Sequence, residues 1–271
     1  MELHLWFQYL GPVTQALLGG VLTWGLTALG AAMAFLGANP SRKLMDLMLG
    51  FAGGVMIAAS FWSLLAPAIE ISGELGMVEW LPPAVGFVLG AVFLRLLDLV
   101  LPHLHPALKG AKPEGIRTHL MKTTLLVLAI TLHNIPEGLA FGVAFGAAGL
   151  SPSSTLSGAV ALTLGIGLQN LPEGLAVAFP LRKAGFSRGK AFFFGQLSAV
   201  VEPLFAMLGA AAVDFMRVGL PYALSFAAGA MIYVVVEEVI PESQSEGNGD
   251  LATMGLILGF TCMMILDVAL G

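Results

Sequence analysis

The sequence predicts an all-α polytopic membrane protein in which residues 1–271 form a single transmembrane domain. Two observations carry this prediction: the composition of the chain and the spacing of its apolar stretches. Hydrophobic residues make up 57% of the chain, charged residues only 11%, and the mean hydropathy is +0.89. Because soluble domains contain about 25% charged residues, much of the surface of this protein is predicted to face lipid.

Eight stretches are long enough to cross a bilayer, which takes about 20 mostly apolar residues per helix. They lie at residues 12–37, 47–66, 82–101, 119–148, 153–180, 189–213, 218–240 and 251–270. A single cysteine, Cys262, excludes a zinc module that is built from several cysteines. The net charge of −5 and the scattered basic residues indicate that nucleic acid is not a partner.

The loops between these stretches predict the orientation of the chain. If the N-terminus lies outside, ten of the twelve Lys and Arg residues fall in three cytoplasmic loops. Basic loops stay in the cytoplasm, so both termini are expected on the extracytoplasmic side. The ten residues are Arg42, Lys43, Lys109, Lys112, Arg117, Lys122, Arg182, Lys183, Arg188 and Lys190.

One polar motif occurs twice, in the fourth and the fifth predicted span. Residues 133–140 are His-Asn-Ile-Pro-Glu-Gly-Leu-Ala, and residues 169–176 are Gln-Asn-Leu-Pro-Glu-Gly-Leu-Ala. The two glutamates, Glu137 and Glu173, lie 36 residues apart. A carboxylate inside an apolar span is costly in lipid and normally marks a substrate or ion pathway. The repeated motif therefore indicates a functional site.

Helical geometry brings the polar side chains of each copy together. At 3.6 residues per turn, His133 and Glu137 share one helix face, and Gln169 and Glu173 share a face of the next helix. Both glutamates fall near the middle of a hydrocarbon core about 30 Å thick. Because consecutive spans run antiparallel, the two copies are predicted to meet at the same depth and to form one site.

A proline precedes the glutamate in each copy of the motif. Pro136 and Pro172 lack the backbone N–H that a helix interior needs. We expect them to interrupt both helices and to free the carbonyl groups of Leu132 and Leu168 as further oxygen donors. Broken helices that meet at the membrane midplane are typical of a transporter substrate site.

Other polar side chains inside the spans are candidate members of the site or of its access pathway. Asn134 and Asn170 lie three residues before their glutamates. Glu202 lies in the sixth span beside Pro203, and Met56 could present a thioether from the second span. The candidate pathway residues are Ser60, Ser63, Glu237, Glu238 and Asp267.

This set of donors fits a borderline divalent metal. Imidazole, carboxylate and amide groups with one thioether suit Zn²⁺, Cd²⁺, Fe²⁺ or Mn²⁺. Three carboxylates, on Glu137, Glu173 and Glu202, balance up to three positive charges, which suits two close cations bridged by shared carboxylates.

Two other functions stay open at this point. One is a proton-coupled exchanger of another solute, in which the glutamates relay protons. The other is an intramembrane zinc metalloenzyme. The enzyme is disfavoured because the chain has no His-Glu-x-x-His motif and only one mid-membrane histidine, so a three-ligand catalytic zinc site is hard to build.

The paired motif within eight spans resembles the ZIP (Zrt/Irt-like protein) family of divalent metal transporters. The form His-Asn-x-Pro-Glu-Gly in the first copy resembles the bacterial GufA-type branch of that family. Further matching segments are Gly-Val-Met-Ile-Ala-Ala-Ser at residues 54–60, Glu-Pro at 202–203, Glu-Val-Ile-Pro-Glu at 238–242 and Met-Met-Ile-Leu-Asp at 263–267. The resemblance implies a protein that is not an enzyme, holds no prosthetic group, and moves zinc, and also cadmium, iron or manganese, into the cytoplasm across a bacterial plasma (inner) membrane.

The resemblance also implies a binuclear metal site between the fourth and fifth spans, with Glu137 and Glu173 bridging the two metals. One metal would be held by Met56, His133, Glu137, Gln169 and Glu173, and the other by Asn134, Glu137, Asn170, Glu173 and Glu202. It further implies an inverted repeat of spans 1–3 and 6–8 around the central pair of spans 4 and 5, a homodimer, and alternating access by an elevator-like shift of one helical bundle.

Three features of this sequence depart from the family pattern. Many members have His in place of Gln169, and some have Asp in place of Asn170. Neutral amides are poorer metal ligands than imidazole or carboxylate, so we expect weaker or broader metal binding. The long His-rich inner loop of many eukaryotic members is absent, and the predicted inner loop here carries only the His-x-His of His103 and His105.

Overall fold

The computed structural model describes residues 6–36, 41–100, 122–152, 154–215 and 217–270, and no strand is found among them. The predicted all-α class is therefore confirmed for these residues. The α-helices are α1 (Pro12–Ala32), α2 (Arg42–Ala59), α3 (Ala66–Glu74), α4 (Leu81–Val100), α5 (Lys122–Ala147), α6 (Leu156–Lys183), α7 (Arg188–Leu197), α8 (Val201–Phe215), α9 (Leu220–Val234), α10 (Ile240–Gln244) and α11 (Gly249–Leu270). The inner-loop residues His103 and His105 lie outside the described ranges.

Several of these helices join end to end into membrane-length rods. The π-helical segment Ser60–Leu65 connects α2 to α3, and the π-helical segment Val235–Val239 connects α9 to α10. Six helical segments of the described chain are long and apolar enough to cross a membrane: Pro12–Phe35, Arg42–Glu74, Val127–Ala147, Arg188–Val213, Leu220–Gln244 and Gly249–Leu270. Helices also cover the other two predicted spans, but α4 has a shorter apolar stretch, Leu81–Leu97, and α6 carries the polar residues of the second motif.

Local sequence signals fix where the helices begin and end. The hydroxyl of Ser41 accepts the backbone N–H of Leu44 at the start of α2, as expected for an N-cap serine. At the end of α6, Gly185 has a φ of 91°, in the left-handed region that a glycine adopts without strain. The next N–H, of Phe186, then bonds to the carbonyl of Leu181, which closes the helix with a Schellman motif.

The motif prolines do not break their helices. Pro136 lies inside the continuous helix α5, and Pro172 lies inside the continuous helix α6. The prediction of two broken helices is therefore wrong. Neighbouring helices and local adjustments satisfy the backbone groups that a proline frees inside a membrane helix. The interruption occurs instead in the sixth predicted span, where a turn at residues 198–200 separates α7 from α8, just before Glu202 and Pro203.

The most extensive packing divides the helices into two groups. In the first group, α1 packs on α6 and α8, and α5 packs on α8. In the second group, α2 packs on α11, and α4 packs on α9. The groups meet where α6 lies against α2 and α11 and where α5 lies against α9. The two polar motifs, on α5 and α6, therefore belong to the first group and lie on helices that contact the second.

Glycines let the backbones touch inside each group. A Cβ added at Gly174 of α6 would lie 2.0 Å from the carbonyl oxygen of Thr27 in α1. A Cβ added at Gly54 of α2 would lie 1.9 Å from the carbonyl oxygen of Leu256 in α11. At the junction of the groups, Gly165 of α6 meets a methionine side chain of α11 instead. Some contacts inside each group are thus backbone to backbone, which brings those helices close together.

Candidate metal site

Three glutamate side chains are buried together where α5, α6 and α8 meet. Glu137 and Glu202 are fully buried, and Glu173 is 9% exposed. Burial of an ionised carboxylate is costly unless hydrogen bonds or a cation compensate for the lost water. The neighbours of these carboxylates therefore decide what the cluster can bind.

The amide of Gln169 joins the first two carboxylates. Its Nε2 donates a short hydrogen bond to Glu137 Oε1 and a longer one, of 3.4 Å, to Glu173 Oε1. The repeated motif therefore does form one site, because the polar side chains of both copies meet through this amide.

The amide of Asn170 holds the third carboxylate. Its Nδ2 lies 2.8 and 2.9 Å from the two oxygens of Glu202, and 3.3 Å from the backbone carbonyl of Thr23 in α1. This contact connects the second motif to the glutamate of the sixth predicted span.

The amide of Asn134 is held by the interruption between α7 and α8. In a continuous helix the carbonyl of Ser198 would accept from the N–H of Glu202. Here the N–H of Glu202 bonds to the carbonyl of Ala199 instead, at 3.0 Å. The carbonyl of Ser198 accepts Nδ2 of Asn134 at 3.0 Å.

These bonds leave a set of oxygen atoms without partners. Among the described residues, six buried side-chain nitrogen or oxygen atoms have no hydrogen-bond partner, and five of them are oxygens of this cluster. The three amides donate through their nitrogens to carboxylate or backbone carbonyl oxygens, which act as acceptors. The oxygen of each amide is therefore left without a hydrogen-bond partner. Buried polar atoms are normally paired, and a bound cation would supply the partner that these five oxygens lack. They are Asn134 Oδ1, Glu137 Oε2, Gln169 Oε1, Asn170 Oδ1 and Glu173 Oε2.

The imidazole of His133 contacts a glutamate of the second group. His133 Nε2 lies 2.6 Å from Glu238 Oε1, and both side chains are buried, at 10% and 9% exposure. If the carboxylate is ionised it only accepts, so this ring nitrogen would donate the hydrogen bond. Sequence spacing predicted that His133 shares a helix face with Glu137, but it did not predict this bond between helices.

Carboxylates and imidazole alone do not make a metal site in this arrangement. Among the residues that the structure describes, no three His, Cys, Asp or Glu side chains come close enough together to hold a metal ion. A cation at the cluster would need further donors, and the amide oxygens of Gln169, Asn134 and Asn170 are without hydrogen-bond partners there. Oxygen donors of this kind suit hard and borderline divalent ions.

The remaining predicted residues fall in different surroundings. Met56 is fully buried in the apolar core, and its backbone carbonyl accepts the hydroxyl of Ser60 at 2.8 Å. Ser63 donates to Asp267 Oδ1 at 2.6 Å, near the opposite end of the site helices. Glu237 is exposed on the outer surface of its helix.

Two cavities lie at opposite ends of α6. One, of about 130 Å³, is lined by His133, Glu173, Glu238, Glu242 and Lys183 among others. The second, of about 100 Å³, is lined by residues that include Ser63, Thr155 and Asp267. The first cavity reaches the cluster through Glu173. The second ends at Ala159 on α6, so about 20 Å of helix separates it from Glu173.

Comparison with known proteins identifies the family. The family model described as ZIP zinc transporter matches residues 109–267, which is more than half of the chain. The chain belongs to the ZIP family.

Relatives match this ZIP protein along nearly its whole length. Zinc transporter ZIP11 of Bos taurus is 45% identical, with 96% of this chain and 98% of the relative aligned. Zinc transporter ZIPB of Bordetella bronchiseptica is 40% identical over 96% of this chain and 82% of its own length. Zinc transporter GufA of Myxococcus xanthus is 42% identical, over 94% and 98%. The resemblance to ZIP and GufA-type proteins is confirmed, and because ZIP proteins are transporters, the metalloenzyme alternative is excluded.

One polar network of this ZIP protein was missed by the sequence reasoning. Arg42 bonds through Nε to Asp46 Oδ1 at 2.6 Å, and its terminal nitrogen reaches Glu242 Oε1 and Ser245 Oγ, both at 3.0 Å. The other oxygen of the fully buried Asp46 accepts Nδ2 of Asn248 at 2.8 Å. The side chains of Arg42 and Asp46 thus connect the start of α2 to α10 and to the turn before α11, and Arg42 and Glu242 also line the cavity that reaches Glu173. The sequence does contain a pattern that predicts part of this network, because an Arg and an Asp four residues apart at the start of an apolar helix can form an ion pair.

Proposed function

We propose that this protein carries zinc into the cytoplasm through a binuclear site between α5 and α6. The observation that supports it most strongly is the set of five buried, unpartnered oxygens around Glu137 and Glu173. All three amides of the cluster donate their N–H groups to acceptors of the protein and have an oxygen without a partner. A cation binds to such oxygen acceptors, whereas a neutral solute would also need hydrogen-bond donors.

Two metals would share the central carboxylates. The first position would use the imidazole of His133, the amide of Gln169 and the thioether of Met56, and the second would use the amides of Asn134 and Asn170 with the carboxylate of Glu202. Glu137 and Glu173 would bridge both positions. The bonds from Gln169 to both bridging carboxylates, and from Asn170 to the carboxylate of the second position, support this division.

The ligand chemistry supports zinc first and other divalent metals second. Zinc accepts imidazole and carboxylate ligands, and the relatives compared above are zinc transporters. Two amides stand where many family members have stronger ligands, so we also expect transport of Cd²⁺, Fe²⁺ and Mn²⁺.

We further propose eight membrane spans, with spans 1–3 and 6–8 related by an inverted repeat around spans 4 and 5. Both termini would be extracytoplasmic in a bacterial inner membrane, because the basic ends of α2, α6 and α7 would then meet the cytoplasm. The homodimer is proposed on the family resemblance alone, and light scattering of the purified protein measures it.

Alternating access is the proposed mode of transport. Each helix group contains close backbone contacts, such as Gly174 on Thr27 and Gly54 on Leu256, whereas Gly165 meets a side chain of the other group, and this difference supports sliding of one group as a body. The cluster communicates with the cavity at the basic ends of the helices and is separated from the opposite one. A carrier that opens to one side at a time has this asymmetry.

Uptake into vesicles tests the proposal. Purified protein is reconstituted into liposomes that contain a metal-sensitive dye, and Zn²⁺, Cd²⁺, Fe²⁺ and Mn²⁺ are supplied outside. We expect zinc uptake that falls at least about tenfold in Glu137→Gln, since even outer-shell ligand partners contribute about 10–100-fold to metal affinity. Glu79→Gln, the same change at an exposed position, is the matched control.

The exchanger alternative makes a different prediction for the same vesicles. If the glutamates relay protons for another solute, none of the four metals enters above the rate of protein-free vesicles, and zinc does not raise the melting temperature of the protein. That pair of results would refute the proposed function.

A further inference from the structure

The interruption of the sixth predicted span is held by side chains from outside that span. Across residues 198–200 the backbone bonds shift from the α-helical spacing to the tighter spacing of three residues. Ala199 N–H bonds to Gln196 O at 3.3 Å, and Glu202 N–H bonds to Ala199 O at 3.0 Å. A carbonyl freed in this way is costly inside a membrane unless another donor reaches it. One such donor, the amide of Asn134 on the carbonyl of Ser198, belongs to the metal site.

A second donor comes from a tryptophan that no part of the metal site uses. Trp24 of α1 donates its indole N–H to the backbone carbonyl of Gln196 at 3.0 Å and reaches the side-chain oxygen of Gln196 at 3.1 Å. In a continuous helix that carbonyl would accept the N–H of Val200. The N–H of Val200 bonds to the carbonyl of Leu197 instead. The Gln196 carbonyl therefore accepts the N–H of Ala199 and the indole of Trp24 together, a pair of bonds that occurs only in the interrupted form.

The neighbours of Trp24 on α1 also contact this region. The carbonyl of Thr23 accepts the amide of Asn170, which holds Glu202. One turn earlier, Gly20 packs so closely on Pro203 that an added Cβ would lie 2.4 Å from its Cα. Residues 20–24 thus contact the sixth span before its interruption, at Gln196, and after it, at Pro203.

The tight turn sets the direction in which Glu202 points. A helix with three residues per turn advances about 120° per residue, and an α-helix advances about 100°. Three residues in the tight form therefore rotate everything that follows by about 60°. Relaxation to a continuous helix would turn the carboxylate of Glu202 away from Asn170 and would return the Ser198 carbonyl to the N–H of Glu202. Both changes disturb the second metal position and leave the first untouched.

We propose that Trp24 is a positioning residue for the second metal: by holding the Gln196 carbonyl, it keeps the interruption that aims Glu202 and Asn134 at that metal. The proposal rests on the binuclear site proposed above. The indole touches neither metal nor ligand, so its effect is confined to the geometry of the second position.

Zinc titrations of single-position variants test this by calorimetry on purified protein in detergent. His133→Ala disables the first position and reports the second, whereas Asn170→Ala disables the second and reports the first. Trp24→Phe keeps an aromatic ring and removes the donor. We expect it to raise the zinc Kd about three- to tenfold in the His133→Ala background, the effect of one hydrogen bond. In the Asn170→Ala background we expect a change of less than about twofold, which also shows that the variant is folded.

Two controls separate the alternatives. Trp80→Phe makes the same change at an exposed tryptophan and should move neither Kd. Gln196→Leu removes the side-chain acceptor and leaves the carbonyl, so it should have less effect than Trp24→Phe. Equal weakening in both backgrounds, no weakening in either, or a Gln196→Leu effect as large as that of Trp24→Phe would each overturn the assignment of Trp24. A wild-type protein that binds one zinc or none would instead refute the binuclear proposal itself, and this assignment with it.

Discussion

The bond between His133 and Glu238 predicts how a residue of the second helix group supports metal binding in the first. Nε2 of His133 lies 2.6 Å from Glu238 Oε1, and the proposed first metal position uses the same imidazole. Glu238 then fixes the tautomer and the orientation of the imidazole, as outer-shell carboxylates do for metal-bound histidines. We expect Glu238→Leu to weaken zinc binding at the first position and to slow uptake.

The size of the effect follows from the burial of this pair. Only 10% and 9% of the two side chains are exposed, so solvent screens the bond little. A hydrogen bond to a charged group contributes about 1.5–3 kcal/mol, and a neutral one about 0.5–1.5 kcal/mol. Glu238→Leu should therefore raise the zinc Kd about 10–100-fold, in agreement with the usual effect of an outer-shell partner. Glu238→Gln keeps an oxygen acceptor without the charge and should cost about tenfold.

Calorimetry in the Asn170→Ala background isolates the first position and measures both variants, with Glu79→Gln as the exposed control. The order of affinity should be wild type, then Glu238→Gln, then Glu238→Leu. A Glu238→Leu protein that binds zinc as tightly as wild type, or more tightly, would refute the reasoning. It would mean that zinc binds through Nε2 and must displace Glu238 to reach the imidazole.

Three further predictions concern selectivity and stability. Gln169→His supplies a stronger zinc ligand and should tighten zinc binding and narrow the metal range, as a panel of vesicle uptake assays measures; unchanged selectivity would contradict this. Gly174→Ala places a methyl group 2.0 Å from the carbonyl of Thr27, so it should destabilise the protein by about 1–3 kcal/mol, seen as a lower melting temperature in detergent. Arg42→Gln removes a charged partner of the buried Asp46 and should reduce the free energy of unfolding by about 1–3 kcal/mol. The melting temperature in detergent would then fall. An unchanged melting temperature would mean that the contacts of Arg42 contribute nothing to stability.

The sequence was sufficient for those parts of the site that depend on spacing within one helix. Helical periodicity placed Gln169 and Glu173 on a common face, and the amide does contact that carboxylate. Antiparallel neighbours at equal depth predicted that Glu137 joins them, which the structure confirms. The intramembrane cost of an isolated carboxylate was enough to select Glu202, whose partner is an amide of the second motif.

The sequence was insufficient where a contact depends on the rotation of one helix against another. Nothing in the spacing of residues could show that His133 turns toward Glu238 on a distant helix. The proline rule failed for Pro136 and Pro172, because packing of the surrounding helices outweighs the loss of one backbone bond. An interruption does occur just before Pro203, where donors from two other helices bind the carbonyls of Gln196 and Ser198.

The amides of this site would have a physical role in the metal-free stage of the proposed cycle. In alternating access the carrier would return without metal, when three buried carboxyl groups lack both a cation and water. The hydrogen bonds from Gln169 to Glu137 and from Asn170 to Glu202 supply partial compensation at that stage. A histidine in place of Gln169 would bind the metal more strongly, but in its neutral form it offers a single N–H and so cannot donate to both bridging carboxylates. Glutamine at this position would therefore lower the affinity for zinc and also lower the free-energy cost of burying the metal-free carboxylates. Gln169→His should slow the return step more than it slows metal entry.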